Sequence, residues 1–410
     1  MPTPRLLALS AAALGLLTAC GGAEAEPGPQ TRTGGWAAVL GEARGQQVDW
    51  YMYGGDETLN TFVTGFLADR LDELGVTLKQ VRITDTVDAV NKVLAEKQAG
   101  RDEGGSVDLV WVNGENFATG QQAGLWHCGY DRDLPNAAYV DFDDPAVARD
   151  FGVPVEGCES VWQQADSALV YDSSALTERD VESVSSLFAW AERNPGRFTY
   201  PAPPDFTGSM AVRTFLYDTA GGPSALDGTT VDEEAYGEAS SRLWDRLIGV
   251  APSLWRGGET YPSGQSDVER LYGNGEIDAF LTYGPGAVGD LVARGVFPDS
   301  TRETVLSVGN IANNSFVAIP YNAGDQAAAK VLANELLDPE VQLELFRTAG
   351  IYPAIDLERL TDAERAPFED VDLGPSVLPL TELTADTQPE LAAAYVTRIE
   401  ADWKARVLQR

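Results

Sequence analysis

His127 is the only histidine of the chain, and Cys128 follows it directly. A Ser/His/Asp or Cys/His relay needs a base that faces its nucleophile, and adjacent residues on an extended or helical chain seldom do. The same scarcity leaves a zinc site short of ligands. Carboxylates are plentiful, 63 Asp and Glu against 29 Lys and Arg, but a run such as Asp141, Asp143 and Asp144 reads as solvated loop. Catalysis is poorly supported, and no cofactor or metal is called for. Recognition is the chemistry to look for.

Four loops offer it, each directly after a strand-like run. Gly54-Gly55-Asp56 combines backbone that can approach a ligand with a carboxylate that can pair with a cation or cap a helix. Asn113-Gly114-Glu115-Asn116 holds no large apolar group, which is costly in a core and natural at a cleft. The segment from Tyr200 to Ser209 is stiffened by Pro201, Pro203 and Pro204. It offers the rings of Tyr200 and Phe206, the carboxylate of Asp205, and Thr207 and Ser209 at the start of a helix. Tyr283-Gly284-Pro285-Gly286 opens a G-x-G-x-x-G pattern that ends at Gly289. A dinucleotide reading fails because no β-α-β unit with a placed ribose acid follows, so these glycines are expected to let backbone line the cleft beside Tyr283. Trp162 and Asn314 are weaker candidates.

The elements that must position these loops alternate. Val48–Tyr53 is strand-like, and Leu59, Phe62, Val63, Phe66, Leu67, Leu71 and Leu74 recur at helical spacing. A strand at Thr77–Ile83, a helix carrying Val87, Val90, Val93 and Leu94, and a strand at Val107–Val112 follow. That β-α-β-α-β order predicts a parallel sheet wrapped by helices. A second series runs through strands at Ala168–Tyr171, Phe198–Tyr200 and Ile277–Tyr283, then a late strand at Phe316–Pro320 and a helix from Asp325 to Leu337. Ligands of open α/β lobes sit beyond the carboxyl ends of such strands.

Composition bounds the setting. Arg5, the apolar run Leu6–Leu17 and the small residues after it have the layout of a secretory signal, too short to span a bilayer. Leu17-Thr18-Ala19-Cys20 resembles a bacterial lipobox, whose cysteine carries lipid; an ordinary cleavable signal is the alternative. Residues 1–20 are thus expected as signal and 21–45 as flexible tether, with the folded protein held outside the membrane. Cys128 and Cys158 remain, either as a disulfide or as two buried thiols. A formal charge of −34 argues against nucleic acid, suits solubility, and is compatible with a cationic ligand.

Five tracts carry a resemblance to a family: Gly105–Phe117, Asn194–Ser209, Leu254–Gly258, Asn274–Asp278 and Asn314–Asn322. In this order they resemble the YnjB-type extracellular solute-binding proteins of ABC transporters. That family is similar to the type II periplasmic-binding class, which includes binders of thiamine, polyamines and ferric ion. The resemblance implies a two-lobe α/β fold with an interlobe ligand cleft, closure on binding, and delivery to an ABC permease. Lobe 1 is expected over 46–157 with 312–345, and lobe 2 over 158–311 with 346–410. A monomer with a thiamine- or polyamine-like cation is compatible with the charge, while glycine-rich helix starts would suit an anion. Two other readings stand beside it: a lipid-anchored carboxylate-dependent hydrolase of glycosidase type, and a surface interaction protein without a small ligand.

Overall fold

The structure, a computed structural model, describes residues 33–409 apart from Asp227 and Thr384. The signal, Cys20 and most of the tether lie outside the described residues. The expected tether ends earlier than residue 45, because α1 (Thr33–Ala43) is a helix. Its Trp36, Val39 and Leu40 recur at helical spacing and pack, with buried Ala43, on the first core.

In β1 (Gln47–Tyr53), Val48, Trp50 and Met52 point inward in strict alternation. Asp56 then caps a helical run that passes from Glu57–Phe62 through a π turn at Val63–Leu67 into Ala68–Leu74. β2 (Thr77–Ile83) and β3 (Leu109–Val112) lie parallel to β1 on its two sides. The expected parallel unit is thus present. α2 (Glu115–Gln122) leaves the end of β3, and a small hairpin of β4 (Arg149–Asp150) and β5 (Val153–Pro154) follows.

β6 (Ser160–Asp166) is separated from β7 (Ala168–Asp172) by Ser167 alone, yet the two strands belong to different sheets. After α3 (Phe206–Ala220) and α4 (Gln265–Gly273) come β8 (Ala279–Thr282) and β9 (Thr301–Thr304), which flank β7 antiparallel. The second series therefore builds an antiparallel three-stranded sheet. Phe198, expected in a strand, makes only an isolated bridge to Ala279. The long β10 (Asn310–Ala318) returns the chain to the first sheet, antiparallel to both β6 and β3. α5 (Gln326–Glu335), which packs against α1, and α6 (Pro339–Ala349) follow. β11 (Thr387–Gln388) adds a parallel edge to β10, and α7 (Ala393–Trp403) closes the fold.

Two large cores result. The first gathers around Trp50, Phe62, Trp162, Phe316 and the inner faces of α5 and α6. The second gathers around Phe188, Tyr200, Phe215, Trp244 and the inner face of α7. Phe346, Tyr352, Ile355, Leu360, Phe368 and Leu383, expected with lobe 2, pack in the first core. Only the stretch from Leu391 onward packs in the second. The G-x-G-x-x-G pattern finds a packing role at its later glycines. A Cβ on Gly286 would lie 2.0 Å from the Gly350 carbonyl oxygen, and one on Gly289 1.8 Å from that of Leu373. These glycines let the loop after β8 touch backbone at the end of α6 and beyond it.

Cys128 and Cys158 form a disulfide across a separation of 30 residues. A loop of that size contributes about 3–4 kcal/mol through the unfolded chain's lost entropy. Cys128→Ser with Cys158→Ser is expected to lower unfolding free energy by about that amount, read from urea denaturation. A change below about 1 kcal/mol would show that the cross-link contributes little.

Candidate cleft where the two sheets meet

The first turn of α3 organises the site. Asp205 caps it, accepting from the Gly208 N–H at 2.9 Å and from the Thr207 N–H. Gly208 is required there, since a Cβ would stand 2.3 Å from the Pro201 carbonyl oxygen. Phe206 is thereby held outward, 40% exposed. Its ring stacks on Tyr283, centroids 4.9 Å apart and planes at 29°, and Phe151 lies 6.2 Å away. Gly284 beside Tyr283 is exposed, with open space where a Cβ would stand.

One turn into the helix lies a charged floor. Arg213, 1% exposed, meets the buried Glu390 carboxylate through Nε to Oε2 at 2.8 Å and Nη2 to Oε1 at 2.9 Å. The Tyr283 hydroxyl and the Asn313 amide also donate to Glu390. Ser209 accepts from Arg213 Nη1 at 2.6 Å and donates to Glu400 at 2.7 Å. Burial pushes the Glu400 carboxyl up to about 7, despite the Ser209 hydrogen bond, and neighbouring Glu115 pushes the same way.

The first sheet supplies the facing wall. Gly114, at φ 62°, follows β3 and donates its N–H to buried Asp150 at 2.6 Å. Burial raises the Asp150 carboxyl to about 8. Glu115 is exposed to water yet crowded by protein, so its carboxyl is raised by desolvation while Arg213 opposes. At the rim, Gly55 passes so close to the Tyr53 ring that a Cβ would clash with it. Tyr53 hydrogen-bonds Ser266 on α4 and feels Asp205, Glu269 and Asp56. Burial raises both Asp205, to about 6, and Glu269.

The structure thus brings Gly55, Asp56, Glu115, Asp205, Phe206, Ser209, Tyr283 and Gly284 into one region, where the loops of the two sheets meet. Asp56 also serves as helix cap, accepting from Thr58 and Leu59. Thr207 is buried in the first turn of α3, and Asn113 and Asn116 are half-buried beside Gly114 and Glu115. Three candidates belong elsewhere. Trp162 is fully buried, edge-on to Trp50 and Trp111 in the first core. Tyr200 is fully buried in the second, its hydroxyl accepting from Trp403. Asn314 bonds the Ala146 carbonyl, while its neighbour Asn313 is the one that reaches Tyr283 and Glu390.

Sequence reasoning missed Tyr53, Asp150, Phe151, Arg213, Glu269, Asn313, Glu390 and Glu400. Arg213 carried a signal, a cation one turn beyond Ser209 inside an apolar helix. Glu390 and Glu400 carried none in so acidic a chain. Among the described residues no group of three or more His, Cys, Asp or Glu could hold a metal, and no helix is long and apolar enough to cross a membrane.

Residues 67–364 match the model of the bacterial extracellular solute-binding proteins. The chain belongs to this family. Protein YnjB of Escherichia coli (strain K12) is 34% identical over 381 residues, covering 92% of this chain and 95% of YnjB. The spermidine/putrescine ABC transporter substrate-binding protein PotD of Streptococcus pneumoniae (strain Canada MDR_19A) superposes with a TM-score of 0.60 at 13% identity, covering 88% of this chain and 99% of PotD. A periplasmic thiamin binding protein gives 0.58 at 18% identity, over 88% and 96%. This solute-binding protein is the capture component of an ABC import system and has the two-lobe α/β fold of its neighbours. It takes a small ligand to a membrane permease. The hydrolase alternative finds no support among its relatives.

Proposed function

We propose that the ligand is a small organic cation, held between the carboxylates of the cleft and the Phe206–Tyr283 ring pair. One observation carries the reading: two amide oxygens at the cleft, of Asn313 and Gln265, are buried without a partner. Their NH2 groups are already committed, Asn313 to Glu390 and Gln265 to Glu269 at 2.8 Å and Thr282 at 3.0 Å. What remains for a ligand is acceptors, and an ammonium or amidinium cation supplies the N–H donors they lack. The raised carboxyls of Glu115, Asp205, Glu269 and Glu400 favour the same sign of ligand. Relatives of this fold named for spermidine, putrescine and thiamin bind compounds of that class.

Capture works by population shift. Tyr53 and Glu115 stand on the first sheet's side, Phe206 and Tyr283 on the second's, so a ligand that touches both favours the closed form by its differential affinity. In this reading Cys20 carries the lipid that holds a monomer at the outer face of the membrane, and the lobes divide near residues 158, 312 and 384.

Native mass spectrometry of the chain without residues 1–20, purified gently, tests the ligand's class. A stoichiometric cationic adduct lost on denaturation is expected; an anionic or covalent adduct overturns the reading. Phe206→Ala is expected to weaken that ligand about 10-fold, the loss of one ring face, while leaving the urea midpoint within experimental scatter. Unchanged affinity would remove the ring pair from the site.

A further inference from the structure

We propose that Glu390 makes the cleft cation-selective by neutralising Arg213, an inference that rests on the reading of the ligand as a cation. Arg213 is the cation felt by Glu115, Glu400 and Tyr283, and its guanidinium lies 5.6 Å from the Phe151 ring centroid. Unpaired at that depth, it would repel an ammonium group and draw in a carboxylate or phosphate.

Glu390 removes that field. The two side chains are 1% and 4% exposed and meet in a bidentate pair, the geometry in which a guanidinium and a carboxylate cancel most fully. Tyr283 and Asn313 donate to the same carboxylate, so four donated hydrogen bonds occupy it. They arrive from α3, from the loop after β8 and from the crossing strand β10. Glu390 itself is delivered by the chain just after β11. The charges left facing the ligand are then Glu115, Asp205, Glu269 and Glu400. Glu390 acts through Arg213 and is a positioning residue.

The test uses the chain without residues 1–20 and calorimetric titration with guanidinium, spermidine and thiamine on one side, acetate and inorganic phosphate on the other. The wild type is expected to bind within the cationic set. Glu390→Gln should lose about 10-fold or more in cation affinity and gain binding of acetate or phosphate. Arg213→Met with Glu390→Gln, which removes both charges, should recover most of that loss. Recovery separates charge from structure, because a purely structural role makes the double variant worse than either single one. Should Glu390→Gln not fold, Arg213→Met decides: it must keep cation preference, and a gain of anion binding there overturns the inference. Cation binding by the wild type with an unaltered preference in Glu390→Gln sinks the inference and leaves the cation reading standing. Anion preference, or no cation binding, in the wild type sinks both.

Discussion

Cation binding is expected to weaken by up to about 10³-fold between pH 8 and pH 5, because two carboxyls of the cleft titrate inside that window. Burial holds Glu400 near 7 and Asp205 near 6 in the free protein. A bound cation favours the ionised form of each, so binding lowers both values and releases protons. Affinity is therefore full above about pH 8 and falls as the pH drops through 7 and then 6. Calorimetric titrations in two buffers of different ionisation enthalpy count the released protons directly. Proton uptake, or affinity rising toward pH 5, would show that the ligand is not a cation held by these groups.

The same shifts act on folding with the opposite sense. A carboxyl raised in the native state contributes stability below its unfolded value and loses it as the pH rises through the folded one. Asp205, Asp166, Glu400 and Asp150, raised by burial to about 6, 7, 7 and 8, all act this way. Asp180 and Asp267, lowered by hydrogen bonds from Thr177 and Ser263, lose their contribution at the acid end instead. The ligand-free protein should be most stable at mildly acidic pH, and added cation should flatten the decline toward pH 8.

Trp403→Ala is expected to cost about 3–5 kcal/mol, a large part of the roughly 5–15 kcal/mol that holds a domain folded. Trp403 is fully buried, edge-on to Tyr261 at 5.0 Å, and donates from its indole to Tyr200 at 3.1 Å. Truncation leaves a ring-sized void and removes the N–H that the Tyr200 hydroxyl accepts from. It also loosens α7, which carries Glu400 to Ser209, so ligand affinity should fall along with stability. Urea denaturation measures the first effect. Glu400→Gln, which keeps the ring, separates the second, and a loss of less than about 1 kcal/mol in Trp403→Ala would show that the C-terminal helix is not integral to the second core.

Much of the fold was legible because burial writes a period into the chain. Val48, Trp50 and Met52 alternate, Leu59 to Leu74 recur at helical spacing, and Asp56 announces a helix start that the structure bears out. The parts of the site next to such starts were legible too, since Phe206 and Tyr283 sit where a strand or proline loop hands over to a helix. Trp162 and Tyr200 misled because an aromatic ring suits a core and a cleft equally. Asn314 misled by one position, and neighbouring residues on a strand face opposite ways.

By itself the sequence determined the local elements, the parallel β1–β2–β3 unit, the family tracts and the strong negative charge. Each of these depends on residues near one another in the chain or on a simple sum. Tertiary structure alone decided which charges meet. Arg213 and Glu390 are 177 residues apart, Ser209 and Glu400 191, and no local pattern links either pair. It also decided that the second sheet is antiparallel and that the chain's last residues complete the second core. Pairing across such distances is set by which buried surfaces fit together, and the sequence holds that information only through the whole fold.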